Sequence, residues 1–250
     1  MRTLKLTLAY DGAAYAGWQW QQGPRTLQGE FEAALARITG ESIRVTASGR
    51  TDAGVHALGQ VVSFQTSSDL SAAVLQKALN AELPDDMAVL NAADVRDGFH
   101  AIRDAVGKRY RYFINDGRVR DVFRRQYAWH YRRPLDEAAM HRAAQSLVGR
   151  HDFTSFETTG SQRASSVRTV SEICVARAGE GSPGLLTVEI EADGFLYNMV
   201  RSIVGTLVEV GRGERPETWP AEVLAACDRR TAGMTAPAQG LFLVCVEYES

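Results

Sequence analysis

The chain has 250 residues, 45% of them hydrophobic, and its 28 Lys and Arg against 30 Asp and Glu give a formal net charge of −2. These values are ordinary for a globular protein with one large domain or two small ones. Its three cysteines lie far apart, without metal-site spacing, and their odd number argues against a secreted disulfide framework. The charged, alternating N-terminus does not resemble a signal peptide, and no apolar run approaches the ~20 residues of a membrane helix. We therefore expect a cytoplasmic protein with no membrane partner.

Positive charge is concentrated in residues 96–133, which contain ten Arg and one Lys against four Asp, a formal charge of +7 against −9 for the remainder. A local basic surface attracts phosphate even on a slightly acidic molecule, although a merely solvated face would have the same composition. Arg outnumbers Lys 25 to 3. The planar donor fork of Arg favours phosphate or base contacts, but genomic base composition would also explain this ratio.

Hydrophobic periodicity predicts alternating strands and helices in the first part of the chain. Leu4, Leu6 and Leu8 alternate with polar residues, which predicts a strand over 4–10 that ends at Asp11-Gly12. Apolar residues at helical spacing predict a helix over 27–38, and Gly40 follows it as a stop. The next predicted elements are a strand over 60–66, a helix over 74–79 and a strand over 87–95.

The second part of the chain continues the same alternation. A strand over 108–115 places Tyr110 and Tyr112 on one face and Arg109 and Arg111 on the other. The further predicted elements are a helix over 134–148, strands over 172–177 and 185–191, helices over 195–210 and 220–228, and a strand over 241–248. This order indicates an α+β protein with two halves, 1–105 and 106–250, which could share one sheet.

The motifs of common nucleotide-dependent and metal-dependent enzymes are missing from the sequence. It has no Walker A, G-x-G-x-x-G, G-x-S-x-G or H-E-x-x-H run, and its five histidines lack metal-ligand spacing to Cys or carboxylates. The simplest enzyme hypothesis is therefore a reaction that uses neither a metal nor a small-molecule cofactor.

The segment Ala47-Ser48-Gly49-Arg50-Thr51-Asp52-Ala53-Gly54 is the main candidate for a functional loop. Its two glycines and small polar residues can present the Asp52 carboxylate to a ligand. The pattern alone favours a plain turn in which Asp52 accepts hydrogen bonds from local amides.

The run Gly49–Ala57 resembles the signature of the tRNA pseudouridine synthase A family. Other blocks of this family follow in the same order, so the resemblance spans nearly the whole chain. These blocks are Tyr10-Asp11-Gly12, Gly17-Trp18-Gln19, Phe99-His100-Ala101, Arg109-Tyr110-Arg111-Tyr112, His151-Asp152-Phe153, Phe195-Leu196, Met199-Val200-Arg201, Ala236-Pro237-Ala238 and Gly240-Leu241. The blocks that carry the family's chemistry show no departure from its pattern.

The resemblance implies an isomerase that converts uridine to pseudouridine at positions 38, 39 and 40 of the tRNA anticodon stem-loop. The reaction breaks the N-glycosidic bond, turns the base and joins C5 to the same ribose carbon, so it needs no cofactor. The implied fold has two RRM-like (ferredoxin-like) halves that share one extended mixed, mainly antiparallel sheet with helices packed on one face. The family forms homodimers with tRNA lying across both subunits, so tRNA and a second copy are the expected partners.

By the same resemblance, Asp52 is the catalytic carboxylate, Tyr110 is the active-site tyrosine, and Arg201 forms an ion pair that keeps Asp52 ionised. Whether Asp52 attacks ribose C1′, adds to the uracil ring or removes a ribose proton stays open. The Tyr110 ring would stack on the flipped uracil and its hydroxyl could take the C5 proton, although the strand pattern alone would place this ring in the core. The other expected substrate contacts are Arg50, Arg109, Arg111 and, as an apolar wall in a strand over 236–243, Leu241.

Two other functions are compatible with the residues alone. A non-catalytic RNA-binding module with RRM-like halves would read RNA with surface aromatic residues such as Tyr110. Such a module has no need of an Asp52–Arg201 ion pair, so Asp52 discriminates between binder and enzyme. A general acid–base hydrolase normally uses paired carboxylates or a metal, and the sequence indicates neither.

Overall fold

The computed structural model describes residues 1–158, 165–179 and 184–249. The chain forms two compact units, Met1–Val106 with Phe242–Ser250, and Gly107–Leu241. The sequence predicted a division at almost the same place, after residue 105, but assigned the whole C-terminal part to the second half. The last strand lies instead with the first unit, because it pairs with a strand of that unit.

The first unit alternates strands and helices. Its elements are β1 (Arg2–Tyr10), α1 (Leu27–Thr39), β2 (Thr46–Ala47), β3 (His56–Thr66), α2 (Ala72–Glu82), β4 (Met87–Val95) and, from the C-terminus, β10 (Leu241–Tyr248). The strands are ordered β4-β1-β3-β10. β1 is antiparallel to β3 and β4, β2 is antiparallel to β3, and β10 is parallel to β3.

Local sequence signals explain these elements. Leu4, Leu6 and Leu8 are fully buried on one face of β1, as strand alternation requires. The Thr26 side chain accepts a hydrogen bond from the backbone N–H of Gly29 and so caps the start of α1. Gly40 ends α1 in the left-handed region, with φ of 71°, which confirms the predicted stop.

In its described residues, the second unit has four longer strands and three helices. Its elements are β5 (Ala105–Asn115), β6 (Trp129–His130), α3 (Glu137–Ala144), β7 (Gly149–Asp152), β8 (Val167–Arg177), β9 (Leu185–Ala192), α4 (Met199–Gly211) and α5 (Trp219–Ala226). The strand order is β5-β9-β8-β7 with antiparallel pairing, and β6 is parallel to β5. The core centres on α4, whose Ile203, Val204 and Leu207 are fully buried.

Several predicted boundaries were wrong, and for three elements the reason is local. The helix expected over 195–210 begins at Met199, because Asn198 adopts a left-handed conformation with φ of 61°. The helix expected over 134–148 begins after Asp136, whose side chain caps it, and gives way at Gln145–Leu147 to a 3₁₀ turn. The strand expected over 236–243 begins only at Leu241, because Ala238–Gly240 form another 3₁₀ turn.

The predicted fold class is confirmed, since both units combine helices with mixed, mainly antiparallel strands. Within the described ranges, no helix has both the length and the apolar character needed to cross a membrane.

Candidate active site

Asp52 lies in the loop between β2 and β3, which we call the Asp52 loop (Ser48–Val55). The loop is anchored at its start by the Ser48 N–H, which donates to the Val61 carbonyl at 2.8 Å. It is turned at its end by the Val55 N–H, which donates to the Asp52 carbonyl at 3.1 Å. Asp52 is half-buried and Arg50 is exposed. The loop therefore shields the carboxylate in part and presents the guanidinium of Arg50 to solvent.

A buried amide, Gln60 on β3, ties the first half of this loop to the sheet. Its Nε2 donates to the Gly49 carbonyl at 2.8 Å, and its Oε1 accepts from the Ser48 hydroxyl at 2.7 Å. Gln60 is fully buried, and a buried amide is costly unless its donors and acceptor are satisfied. This role was not predicted, although a Gln directly before the apolar Val61 and Val62 was a usable signal.

The phenol of Tyr10 extends the network to the residue before Asp52. Its hydroxyl lies 2.8 Å from the Thr51 hydroxyl and accepts from Gln60 Nε2 at 3.4 Å. Burial raises the pKa of Tyr10 to about 12, and the hydrogen bonds to Thr51 and Gln60 oppose this shift only in part. Tyr10 is therefore neutral near pH 7 and remains a hydrogen-bonding partner of the loop.

Two glycine-containing blocks near the N-terminus support the other side of the loop. The Trp18 N–H donates to the Thr51 carbonyl at 2.9 Å, and a Cβ added to Gly17 would lie 2.8 Å from that same oxygen. A Cβ added to Gly12 would collide with the Val55 carbonyl. Close backbone approach thus explains why both positions are glycine.

His56, directly after the loop, is fixed by neighbours in its own unit. It is 1% exposed, and its Nδ1 accepts from the Gly12 N–H at 3.1 Å and lies 3.0 Å from an Asp11 carboxylate oxygen. Its ring stacks on Phe242 of β10, with centroids 4.5 Å apart. The C-terminal strand therefore packs against the residue where the Asp52 loop rejoins the sheet.

The predicted tyrosine of the second unit lies on β5. Tyr110 is 8% exposed, and its ring meets Phe195 edge-on with centroids 4.9 Å apart. Tyr112, two residues on, is fully buried, and its hydroxyl donates to the Pro237 carbonyl at 2.7 Å. Tyr112 is thus a core residue, whereas Tyr110 lies at the edge of the core.

Arg201 is held in place near the start of α4. Its Nε donates to the Ala236 carbonyl and one terminal nitrogen donates to Asn198 Oδ1, both at 2.7 Å. The left-handed Asn198 therefore both starts the helix and orients the guanidinium. A guanidinium has five N–H donors, so these two bonds fix its direction and leave it able to bind a carboxylate as well.

Arg109 and Arg111, the two arginines of β5 that were predicted as substrate contacts, lie among carboxylates. Arg109 forms ion pairs with Glu191, with Glu189 at 3.6 Å and with Glu172 at 3.7 Å. Arg111 Nε lies 2.6 Å from Glu189. These pairs join β5 to its neighbours across the sheet and neutralise much of the positive charge that the sequence placed here.

The predicted site residues fall into two groups. Arg50 and Asp52 share one loop of the first unit, whereas Tyr110, Arg109 and Arg111 lie on one strand of the second unit with Arg201 on its helix. Leu241, 6% exposed, is the first residue of β10. Within the part of the chain that the structure describes, no group of three or more His, Cys, Asp or Glu side chains could hold a metal ion.

The Tyr10 hydroxyl gives a pH-dependent prediction. Tyr10→Phe should lower the free energy of unfolding by about 1–2 kcal/mol near pH 8, because Thr51 and Gln60 each lose a partner. The folded-state pKa of Tyr10, about 12, lies above its ordinary value of 10.0, so the stabilisation is complete below pH 10 and declines as pH rises towards 12. Denaturant unfolding of both proteins between pH 8 and 11 measures this.

A matched control is Ser155→Ala, which removes another fully buried hydroxyl, one that donates to the Val223 carbonyl. The difference in free energy of unfolding between wild type and Tyr10→Phe should shrink above pH 10. The corresponding difference for Ser155→Ala should not follow the titration of Tyr10. A constant Tyr10→Phe difference up to pH 11 would contradict the assignment.

Comparison with known proteins identifies the family. A family model described as tRNA pseudouridine synthase matches residues 7–103 and 143–249. The tRNA pseudouridine synthase A of Brevibacillus brevis is 50% identical over 248 residues, 99% of this chain and 100% of that protein. Those of Moorella thermoacetica and Cronobacter sakazakii are 52% and 46% identical, over 99% and 98% of this chain and 100% and 89% of theirs. The chain therefore belongs to the tRNA pseudouridine synthase family.

Proposed function

We propose that this protein isomerises uridine to pseudouridine in tRNA, at positions 38, 39 and 40 of the anticodon stem-loop, with Asp52 as the catalytic carboxylate. The supporting observation is the Asp52 loop, in which a half-buried carboxylate follows a residue tied to a buried polar network. A carboxylate on a fixed loop is preorganised, so little ordering is left for the reaction step.

The chemistry requires little beyond such a group. The N1–C1′ bond of uridine breaks, the base turns, the C5–C1′ bond forms, the proton on C5 leaves, and N1 gains a proton. Atoms and electrons balance without an external reactant. Asp52 acts as a nucleophile on C1′ or on the uracil ring, or as a base towards a ribose proton, and each role suits an ionised carboxylate.

Tyr110 is proposed as the group that holds the uracil and accepts the C5 proton. A ring stacked on an extruded base contributes ~1–3 kcal/mol, comparable with the few kcal/mol that base flipping costs. Phe195 meets the Tyr110 ring edge-on, which supports the ring in one orientation. Tyr112 is not a candidate for this role, because its hydroxyl is bonded to the Pro237 carbonyl inside the core.

Arg201 is proposed to pair with Asp52 and to keep it ionised, as the family resemblance implies. The support from the second unit is that Asn198 and Ala236 already orient the guanidinium. An ion pair of this kind would make each unit depend on the other, so that neither would be active alone.

The remaining contacts are assigned to the RNA. Arg50, exposed on the Asp52 loop, is proposed to contact the RNA next to the flipped base, and Leu241 to form an apolar wall. Arg109 and Arg111 remain proposed phosphate contacts. Because both are paired with glutamates, RNA phosphate would have to compete with those carboxylates. We therefore expect these two arginines to contribute less to tRNA affinity than Arg50 does.

The biological setting follows from the same proposal. The substrate is tRNA, the working form is a homodimer with tRNA lying across both subunits, and the reaction takes place in the cytoplasm. No metal or small-molecule cofactor is assigned a part.

Loss of the carboxylate gives the main prediction. Asp52→Ala should abolish pseudouridine formation in unmodified tRNA, because no other group replaces the carboxylate, while tRNA binding and thermal unfolding stay close to wild type. Chemical labelling of pseudouridine followed by sequencing measures both the amount and the position. The matched control is Asp69→Ala, which removes an exposed carboxylate from the same unit and should leave activity unchanged. Full activity of Asp52→Ala would contradict the role of this carboxylate. A wild-type protein that binds tRNA but forms no pseudouridine would favour the non-catalytic RNA-binding alternative, and labelling outside 38–40 would overturn the positional assignment.

Tyr110→Phe should separate stacking from proton transfer. The ring is kept, so we expect tRNA affinity to change less than threefold, while slower loss of the C5 proton lowers the turnover rate by about 10²-fold. With tRNA deuterated at uracil C5, the kinetic isotope effect should increase in this variant. Tyr112→Phe is the control on the same strand, with lower stability and an unchanged isotope effect. An isotope effect equal to wild type in Tyr110→Phe would refute the proton-transfer role.

A further inference from the structure

The first unit contains a polar cavity of about 430 Å³, which the proposed chemistry does not use. Its lining includes neither Asp52 nor Arg50. The volume falls within the range of small-molecule sites. We call it the β1–β3 cavity, because Thr3 of β1 and Ser63 of β3 form its floor together with Thr46 of β2.

The floor of the β1–β3 cavity is a row of hydroxyl groups. Thr3 lies opposite Gln65 in the strand register, and Ser63 lies opposite Thr46, so these side chains share the face of the sheet that faces away from Leu4. The Ser63 hydroxyl oxygen accepts from the Ala101 N–H at 3.1 Å, which leaves its own proton to be donated.

Thr3 is the observation that points to a ligand. It is 3% exposed, and its hydroxyl has no hydrogen-bond partner among the residues that the structure describes. Burying a hydroxyl without a partner costs free energy, so native proteins rarely leave one unsatisfied. This hydroxyl is covered in the structure, so a polar ligand atom would supply the partner once the side chains above it move.

The walls supply positive charge and ring surface. Arg103 is exposed and forms no ion pair within the described part of the chain, whereas Arg44 is paired with Glu32 at 3.0 Å. The one carboxylate of the lining, Glu41, is already bonded to Ser67 and Thr66. Glu41 keeps its negative charge while its oxygens accept these hydrogen bonds, and Arg103 is the arginine of the lining that has no ion-pair partner among the described residues.

Phe99 and His100 form the wall beside Arg103. His100 Nδ1 accepts from the backbone N–H of Ile102 at 3.2 Å, so the proton of the neutral ring is on Nε2, which can donate. The cavity thus combines hydroxyl donors, a guanidinium, an imidazole N–H and an aromatic ring. Guanidinium and hydroxyl groups together are well suited to phosphate oxygens.

We propose that the β1–β3 cavity binds a phosphate-bearing ligand of nucleotide size, with the phosphate against Arg103 and the hydroxyls of Thr3 and Ser63. The same chemistry is offered by a free nucleotide and by one nucleotide of an RNA strand. This binding is independent of the isomerisation proposed for Asp52.

Equilibrium dialysis with uridine 5′-monophosphate, uridine and a single-stranded hexauridylate tests the proposal on the full chain. Uridine 5′-monophosphate should bind saturably and uridine should bind at least about tenfold more weakly, since one charged hydrogen bond corresponds to about tenfold or more in Kd. Amide NMR shifts at Thr3, Ser63 and Arg103 would locate the bound ligand. Hexauridylate that displaces the monophosphate assigns the site to RNA, and a monophosphate that resists displacement assigns it to a free nucleotide; either result supports the phosphate site.

Variants separate the site from a structural role. Arg103→Gln should weaken monophosphate binding about tenfold, while Lys77→Gln, which removes an exposed cation of the same unit outside the cavity, should not. Thr3→Val should weaken binding and leave the unfolding temperature equal or higher, because it removes a buried hydroxyl that lacks a partner. If the Thr3 hydroxyl instead formed a structural hydrogen bond, Thr3→Val would lower the unfolding temperature.

Equal binding of uridine and its monophosphate, or unchanged binding in Arg103→Gln, would overturn the proposal. Pseudouridine formation by the same preparation is measured in parallel. It does not depend on ligand binding in the β1–β3 cavity, so either proposal can be contradicted without the other.

Discussion

The buried amide of Gln60 holds the Asp52 loop on the sheet, and the candidate site depends on it. One side chain bonds Ser48 and Gly49, and through Tyr10 the same network reaches Thr51. A buried polar group that loses its partner costs about 1–3 kcal/mol, so alternative loop positions that break these bonds are disfavoured. The constraint acts on residues before Asp52, while Gly12 and Gly17 limit the loop from the other side.

Charge in the basic segment 96–133 is organised differently from what its composition suggests. The basic segment 96–133 has a formal charge of +7, yet several of its cations already have carboxylate partners. These cations are Arg96, Arg109, Arg111 and Arg124. Exposed ion pairs contribute little to stability, but they lower the field that RNA would encounter. Long-range attraction of phosphate must therefore come from fewer arginines than the composition implies.

The fold was predictable where local patterns decide it. Alternation marked β1, and the Gly40 stop marked the end of α1, because burial and caps act over a few residues. The start of α4 was not predictable, since Phe195 and Leu196 continue its apolar pattern and only the left-handed Asn198 breaks the helix. The pairing of β10 with β3 could not be predicted from local patterns either. The two strands lie some 180 residues apart in the chain, and neither segment contains a signal for its partner.

The sequence names the candidate site residues, whose roles stay a prediction, but it does not show which contacts support them. The family resemblance named Asp52, Tyr110 and Arg201, whereas periodicity alone would have made Tyr110 a core residue. The roles of Gln60 and Gly12 follow only from contacts across the sheet. Likewise, sequence could not show that Arg109 and Arg111 meet glutamates, because that requires the register of β5 against β9.

The single-turnover rate of Asp52→Glu on unmodified tRNA tests the central claim most directly, namely that a fixed loop sets the position of this carboxylate. The substitution keeps the charge and moves the carboxylate by one methylene. A loop held by Gln60, Tyr10 and the glycine contacts cannot retreat to compensate, and a misplacement of about 1 Å costs on the order of 10²-fold in rate. We expect a loss of at least about 10²-fold with tRNA affinity preserved. A rate within about tenfold of wild type would contradict the account, because it would show that the loop yields and that its buried network does not set the geometry of the reaction.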